Sequence, residues 1–195
     1  MGAFARYAKS FEGTCGKLKQ GDYINQHNLR NKEGVCYALC LTYLGMRRNG
    51  IEFRSAKEEA ATWVYADKLQ SIINSPDNAP GLFPQVPRRV EMAAQQTGWR
   101  VVGYNVCVAP YTQLTGYMMN IPGAFILVAG KHVCAVFKEA DQKVRFFDPN
   151  FGQATFANAK NMSLFISAFF QDQKIQKAYG IHFMDPIVAI RLQKG

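Results

Sequence analysis

Three residues far apart in the chain carry the side chains that a thiol nucleophile and its proton-transfer partners require: Cys36, His132 and Asp148. Cys36 follows Gly34-Val35 at the predicted start of a helix, where unpaired backbone N–H groups and the helix dipole favour a thiolate. The same N–H groups can stabilise an oxyanion. A thiolate also needs a base, and the base needs a partner that fixes its tautomer. The three residues therefore predict acyl-transfer chemistry, although Cys36 alone would be equally consistent with a structural cysteine.

His132 and Asp148 are predicted to lie on the two strands of one β-hairpin. In GKHVCAVFKEADQKVRFFDPN, a turn centred on Ala140 makes residues whose numbers sum to 280 face each other. This register places His132 opposite Asp148 and Val136 opposite Val144, with opposed Cβ atoms about 5 Å apart. A structural edge pair is the alternative interpretation, and the helix-terminal cysteine favours catalysis. The thiol can then meet the imidazole only if the N-terminal end of the Cys36 helix docks against the His132 and Asp148 face.

The side-chain donor for an oxyanion is predicted less directly. Asn31, five residues before Cys36, could add an amide N–H beside the backbone N–H of Cys36, and Gln26 and Asn28 are alternatives. Cys40 lies one helical turn after Cys36 on an apolar face, so we expect it to be a core residue.

The elements that position these residues are helical before Gly98 and strand-like after it. A stretch rich in proline, Asn74 to Pro87, is the one plausible internal boundary. A capping box at Ser55 to Glu58 is expected to open one of the helices. Helices are predicted at Val35–Arg48, Ser55 to about Ile73, Pro87–Thr97 and about Lys160–Gln171. Strands are predicted at Trp99–Cys107, Gly123–Ala129, His132–Lys138, Lys143–Asp148 and Ile187–Leu192. This order indicates an α+β fold with a mostly antiparallel sheet.

Length and composition predict one compact domain over residues 1–195, helical to about residue 98 and built on a sheet from about residue 99. The 195 residues are 48% hydrophobic and 19% charged, which is enough apolar material for a core. No apolar run approaches the ~20 residues of a membrane-spanning helix, which excludes a membrane-embedded protein. The first residues lack the pattern of a signal peptide, so export by the general secretory route is not expected.

Net charge and cysteine content limit the kinds of partner and cofactor that we expect. The net charge is +9, which favours an anionic membrane surface or an acidic partner. No basic run is interleaved with aromatic residues, so nucleic acid is not expected. Five cysteines, an odd number, indicate free thiols, and three separated histidines give no zinc-ligand spacing. We therefore expect no metal and no cofactor.

Three segments of the chain resemble the motif blocks of the YopT/AvrPphB cysteine proteases, which bacteria deliver into host cells. They are Gly34–Cys40 (GVCYALC), Gly130–Val133 (GKHV) and Phe146–Gly152 (FFDPNFG). The resemblance implies a papain-like fold with Cys36 as nucleophile, His132 as base and Asp148 orienting it. It also implies release by a route other than the signal-peptide pathway and action on a host protein in the host cytoplasm. The interval of 96 positions from Cys36 to His132 is shorter than in the named members, so their substrates do not carry over.

Three functions follow as hypotheses. The first is a cysteine endopeptidase that forms an acyl-enzyme on a peptide carbonyl. The second is a protein glutamine deamidase or transglutaminase, which uses the same acyl-enzyme on a side-chain amide. The third is a noncatalytic binding module on a papain-like scaffold, which the presence of all three catalytic residue types disfavours.

Overall fold

The computed structural model describes residues 2–76, 81–119, 122–182 and 185–195. Its helices are α1 (Ala3–Ser10), α2 (Gln20–Gln26), α3 (Cys36–Arg48), α4 (Phe53–Ala56), α5 (Ala60–Ile73), α6 (Arg88–Gln96), α7 (Thr112–Met119), α8 (Ala159–Gln171) and α9 (Gln173–Tyr179). Its strands are β1 (Thr14–Lys17), β2 (Trp99–Cys107), β3 (Gly123–Ala129), β4 (His132–Lys138), β5 (Val144–Asp148), β6 (Gly152–Phe156) and β7 (Ile187–Lys194). The α+β prediction is confirmed.

The strands form a single sheet in the order β1-β6-β5-β4-β3-β7-β2, and each pairing between neighbours is antiparallel. A hydrophobic core covers each face of this sheet. Because side chains alternate along a strand, Phe146 and Phe147 point to opposite cores. Phe147 stacks on Tyr43 of α3 at 4.3 Å, and Phe146 packs edge-on against Phe165 of α8 at 5.2 Å. The sheet therefore separates α3 from α8.

Helix α3 is the central element of one core. Its residues 38–44 are all buried, so the helix is enclosed nearly all round rather than lying on the surface. It ends as predicted at Asn49-Gly50. Gly50 has φ +72°, in the left-handed region that glycine adopts without strain, and its N–H donates to Arg47 O at 3.1 Å.

The β4–β5 hairpin forms, but its predicted register is wrong by two residues. Val136 faces Phe146 and Lys138 faces Val144, so paired numbers sum to 282 rather than 280. The reason is that the turn is centred on Asp141 rather than on Ala140. Its closing bond runs from Glu139 N–H to Lys143 O at 2.8 Å.

A shift of two residues has a smaller effect than a shift of one. The side-chain period of a strand is two, so a two-residue shift keeps each side chain on its predicted face. His132 and Asp148 consequently remain on the same face but become diagonal neighbours. Cys134, rather than His132, lies level with Asp148 in the register that β4 and β5 share.

Several N-terminal elements differ from the predictions. Ser55 lies inside the short helix α4, where its hydroxyl donates to Glu52 O at 2.8 Å, so the predicted capping box is absent and α5 begins separately at Ala60. Strand β1 comes from the part predicted as helical and pairs with β6 at the sheet edge. The predicted loop from Asn74 to Pro87 lies partly outside the described residues, which omit 77–80.

Within the described residues, no helix combines the length and the apolar character that crossing a membrane requires.

Candidate active site

Cys36 is the first residue of helix α3, and its side chain is partly exposed. The first N–H groups of a helix have no carbonyl within the helix to bond, so the backbone at Cys36 presents donors. The Cys36 side chain also helps to raise the pKa of His132, which places it close to the imidazole. The structure thus brings together the thiol and the imidazole that the sequence placed 96 positions apart.

His132 is the first residue of β4, and 5% of it is exposed. Its Nε2 lies 3.1 Å from Asp148 Oδ1, which leaves Nδ1 for the contact with Cys36. The ring of Tyr179 stacks on the imidazole with centroids 4.2 Å apart. Burial acts to lower the pKa of His132, but the charge and hydrogen bond of Asp148, together with Cys36, raise it to about 9. The imidazolium form is therefore favoured at neutral pH.

Asp148 is fully buried and is held by four donors. Its Oδ1 accepts from His132 Nε2 and from the backbone N–H of Asn150 at 2.8 Å. Its Oδ2 accepts from the Cys134 thiol at 3.3 Å and from the Tyr179 hydroxyl. Burial acts to raise the pKa of Asp148, but the His132 charge and these hydrogen bonds lower it overall, so the carboxylate stays ionised.

Helix α3 approaches this pair differently from the prediction. Its body packs on the sheet face opposite to His132 and Asp148, against Val133 and Phe147, while Cys36 at its N-terminal end still reaches the imidazole. The contact is possible because Cys36 and His132 are each the first residue of their element. The thiol and the imidazole therefore meet where both elements begin, rather than on a shared sheet face.

The other cysteines lie in different environments, and each of the five is a free thiol. Cys40 is buried as predicted and donates to Val133 O at 3.4 Å. Burial raises the pKa of Cys40, of Cys107 and of Cys134, which keeps these thiols protonated. Cys15 is exposed on strand β1.

The side-chain amide of Asn31 has acceptors of its own in the structure. Its amide nitrogen donates to the Asp67 carboxylate at 2.7 Å, to Asp67 O at 2.9 Å and to the Ser71 hydroxyl at 3.2 Å. An oxyanion contact would require one of these bonds to break, and a carboxylate is a strong competing acceptor.

The two alternatives to Asn31 differ in their surroundings. Asn28 accepts a hydrogen bond from Lys32 at 2.8 Å, and Gln26 is exposed at the end of α2. The backbone N–H of Cys36 is therefore the donor that the site offers most directly.

Gln20 is a residue that the sequence reasoning missed. Its Oε1 accepts from the backbone N–H of Val35 at 3.1 Å, and its Nε2 donates to Asn150 Oδ1 at 2.8 Å. It thus connects the start of α3 with the segment after Asp148. No local sequence signal marks it, because a lone glutamine fifteen residues before Val35 matches no capping pattern.

The side chains of His132, Cys134 and Asp148 are of types that bind metal ions, and their potential ligand atoms lie within 4.8 Å of one another. Asp148 accounts for this proximity without an ion, because it accepts hydrogen bonds from both other residues. Its Oδ2 also accepts from the Tyr179 hydroxyl. The arrangement is an imidazole–carboxylate pair with buried donors to the carboxylate.

Comparison with known proteins agrees with this geometry. Residues 123–184 match the family model Peptidase_C58, described as Yersinia/Haemophilus virulence surface antigen. This segment contains His132 and Asp148. No curated protein sequence matches the chain.

Two solved structures share the fold. The Pseudomonas avirulence protein AvrPphB superposes with a TM-score of 0.61 at 15% identity, covering 84% of this chain and 93% of that one. PatoxP, a cysteine protease-like domain of the Photorhabdus asymbiotica toxin PaTox, gives 0.57 at 15% identity, covering 97% of this chain and 59% of that one. The fold is therefore the papain-like fold of cysteine proteases. The resemblance to the YopT/AvrPphB type, first drawn from three short segments, is confirmed.

Proposed function

We propose that this chain is a cysteine endopeptidase in which Cys36 is the nucleophile, His132 the proton-transfer residue and Asp148 its orienting partner. The observation that carries the proposal is the position of the His132 imidazole, whose Nε2 lies 3.1 Å from Asp148 Oδ1 and whose pKa the nearby Cys36 side chain helps to raise. A nucleophile, a base and an orienting group in this order are the minimum that acyl transfer by a thiol requires.

In the reactive form of the site, the proton of Cys36 Sγ resides on His132, so that a thiolate lies beside an imidazolium. The raised pKa of His132 favours the resulting imidazolium, which Asp148 stabilises. The thiolate attacks the substrate carbonyl carbon, and the carbonyl electrons move to oxygen. The backbone N–H of Cys36 is placed to stabilise that oxyanion. Collapse of the intermediate breaks the C–N bond as His132 returns its proton to the leaving amine.

The second half of the reaction releases the acyl-enzyme. A water molecule gives a proton to neutral His132 and attacks the thioester carbonyl. Collapse then breaks the C–S bond, and the proton returns from His132 to Cys36 Sγ. The products are a carboxylic acid, an amine and the regenerated thiol.

The substrate in this proposal is a host protein, cleaved in the host cytoplasm after release from the bacterium. The family description as a virulence antigen and the fold of an avirulence protein support this setting. The net charge of +9 supports concentration at an anionic membrane surface.

Incubation with host-cell lysate tests the proposal, with Cys36→Ala as the matched control. We expect the wild-type protein to create new protein N-termini, detected by terminal labelling and mass spectrometry, and the variant to create none. Intact proteins that gain about one mass unit at a glutamine would instead identify a deamidase. Failure of iodoacetamide to label any cysteine selectively at neutral pH would favour a binding module.

A further inference from the structure

Helix α3 has no N-terminal cap of its own. The residue before it is Val35, whose side chain cannot accept a hydrogen bond. Two glutamines from other elements serve instead, each through its Oε1 at 3.1 Å. Gln20 accepts from the N–H of Val35, and Gln70 of α5 accepts from the N–H of Ala38. The backbone N–H of Cys36 lies between these two capped positions.

The two glutamines differ in what their amide groups contact. Gln70 Nε2 donates to Asn74 at 3.0 Å, away from the catalytic residues. Gln20 Nε2 donates to Asn150 Oδ1 at 2.8 Å, and the backbone N–H of Asn150 donates to Asp148 Oδ1 at 2.8 Å. The backbone N–H of Gln20 also donates to Pro149 O at 3.0 Å.

A continuous hydrogen-bonded path therefore runs from Val35 through Gln20 and Asn150 to Asp148. Its ends are the residue next to the thiol and the carboxylate that holds the imidazole. Gln20 is 7% exposed, so its bonds are shielded from competition with water. Gln70 is similarly buried, at 6%, but its bonds reach only one end of this path.

We propose that Gln20 is a positioning residue that sets the start of α3 relative to Asp148, so that the Cys36 thiol faces the His132 ring. The proposal rests on the proposed function for its catalytic meaning. What it predicts directly is the reactivity of the Cys36 thiol, not the cleavage of a peptide. Gln70 performs the purely structural part of the same task, because it caps the helix without linking it to the carboxylate.

The test measures the rate at which iodoacetamide alkylates Cys36 between pH 5 and 10, by mass spectrometry of the Cys36 peptide. The variants are Gln20→Met and, as the matched control, Gln70→Met. Each loses one cap of α3, so we expect both to lower the unfolding midpoint similarly. We expect Gln20→Met to slow alkylation at pH 7 by roughly fivefold, as the loss of one net hydrogen bond predicts, and to displace the pH profile. Gln70→Met should leave the alkylation rate within about twofold and the pH profile in place, since the cap that Gln70 provides at Ala38 contributes only to helix stability.

A double-mutant cycle with Asn150→Ala tests the path itself. Gln20→Met and Asn150→Ala should be non-additive in the alkylation rate because they interrupt one path, whereas Gln70→Met and Asn150→Ala should be additive. If Gln20→Met does not fold, Gln20→Glu replaces it. Its carboxylate still accepts from Val35 but cannot donate to Asn150.

Equal slowing by Gln20→Met and Gln70→Met, or additivity of Gln20→Met with Asn150→Ala, would overturn the proposal. These outcomes are independent of peptide cleavage. A reactive Cys36 that depends on Gln20, in a protein that cleaves nothing in host lysate, would refute the endopeptidase function and leave the positioning role intact.

Discussion

The His132–Asp148 pair has an open side and a buried side, and each side carries a cysteine. On the open side, partly exposed Cys36 at the start of a helix lies close enough to the imidazole to raise its pKa. On the buried side, Cys134 donates to Asp148 Oδ2 at 3.3 Å with no exposed surface. Both thiols contact the pair, but burial raises the pKa of Cys134 and keeps it protonated. Proximity to the His132–Asp148 pair is therefore not what would distinguish the proposed nucleophile Cys36 from Cys134. Access and the polarity of the surroundings do so.

The buried side has its own task, which is to hold the carboxylate. Cys134 and Tyr179 both donate to Oδ2, which leaves Oδ1 for His132 and the N–H of Asn150. A buried carboxylate without donors would be protonated, because desolvation disfavours its charge. The buried donors thus preserve the charge that raises the pKa of His132 on the open side.

The largest expected effect separates the two cysteines. Cys36→Ala should abolish cleavage in host lysate, because no other thiol reaches both solvent and the imidazole. Cys134→Ala should retain cleavage within about tenfold, since it removes one neutral donor worth roughly 1 kcal/mol. Terminal labelling measures both, and circular dichroism checks that each variant folds. Active Cys36→Ala together with inactive Cys134→Ala or Cys40→Ala would show that the nucleophile lies on the buried side.

The next effect concerns the two members of the pair. His132→Ala should lose nearly all activity, because proton transfer to and from the thiol has no substitute. Asp148→Asn should leave a measurable remainder, roughly a hundredfold to ten-thousandfold below wild type, because the ring loses its orientation and charge support but can still accept a proton. Single-turnover cleavage of one identified substrate measures both. Wild-type rates in both variants would make the pair structural.

The pH dependence is expected to follow His132. Its folded pKa of about 9 lies above the unfolded value of 6.5, so its contribution to stability is complete below pH 6.5 and is lost as pH rises through 9. The imidazolium must also protonate the leaving amine, so kcat/KM should fall over the same upper range.

Asp148→Asn tests whether the titration of His132 causes the fall in kcat/KM at high pH. The charge of Asp148 is the first influence that raises the pKa of His132 against burial, so its removal should move the fall in kcat/KM to lower pH. A pH profile of the residual activity measures this shift. An unchanged upper limb would mean that His132 is not the group that titrates.

The strands around His132 were predicted from the sequence more accurately than the N-terminal region. Strands β3 and β4 were predicted with their observed bounds, because continuous apolar runs between glycines mark buried strands clearly. The register was wrong because the turn is centred on Asp141 rather than on Ala140, and Gln142 within it adopts φ +72°, which its residue type does not signal. His132 and Asp148 still came together, since a two-residue shift conserves the face.

The N-terminal region was predicted poorly for a different reason. Strand β1 is four residues long and exposed throughout, so it has no hydrophobic alternation to recognise. The cap at Val35 comes from Gln20, and the preferred donor Asn31 is instead bound by Asp67. Both pairings join residues distant in sequence, and their energies depend on tertiary packing that no local pattern encodes.

The smallest expected effect comes from Tyr179→Phe on the buried side. This change keeps the ring that stacks on His132 but removes the hydroxyl that donates to Asp148 Oδ2. A hydrogen bond to a charged group contributes roughly 2 kcal/mol, so we expect a loss of that order in the free energy of unfolding and only a several-fold loss of activity.

The dependence of stability on acidic pH tests this role of the Tyr179 hydroxyl. The Tyr179 hydroxyl helps to lower the pKa of Asp148, and a lowered carboxyl pKa contributes stability above the unfolded value of 3.8 that is lost as pH falls through the folded pKa. Tyr179→Phe should therefore lose less stability on acidification than the wild type, and its loss should be complete at a higher pH, as urea denaturation at several acidic pH values would measure. Tyr179→Ala, which also removes the ring, should be less stable at every pH. If Tyr179→Phe matched the wild type throughout, the Tyr179 hydroxyl would not be what keeps Asp148 ionised. The low pKa of Asp148 would then have to come from its pairing with His132.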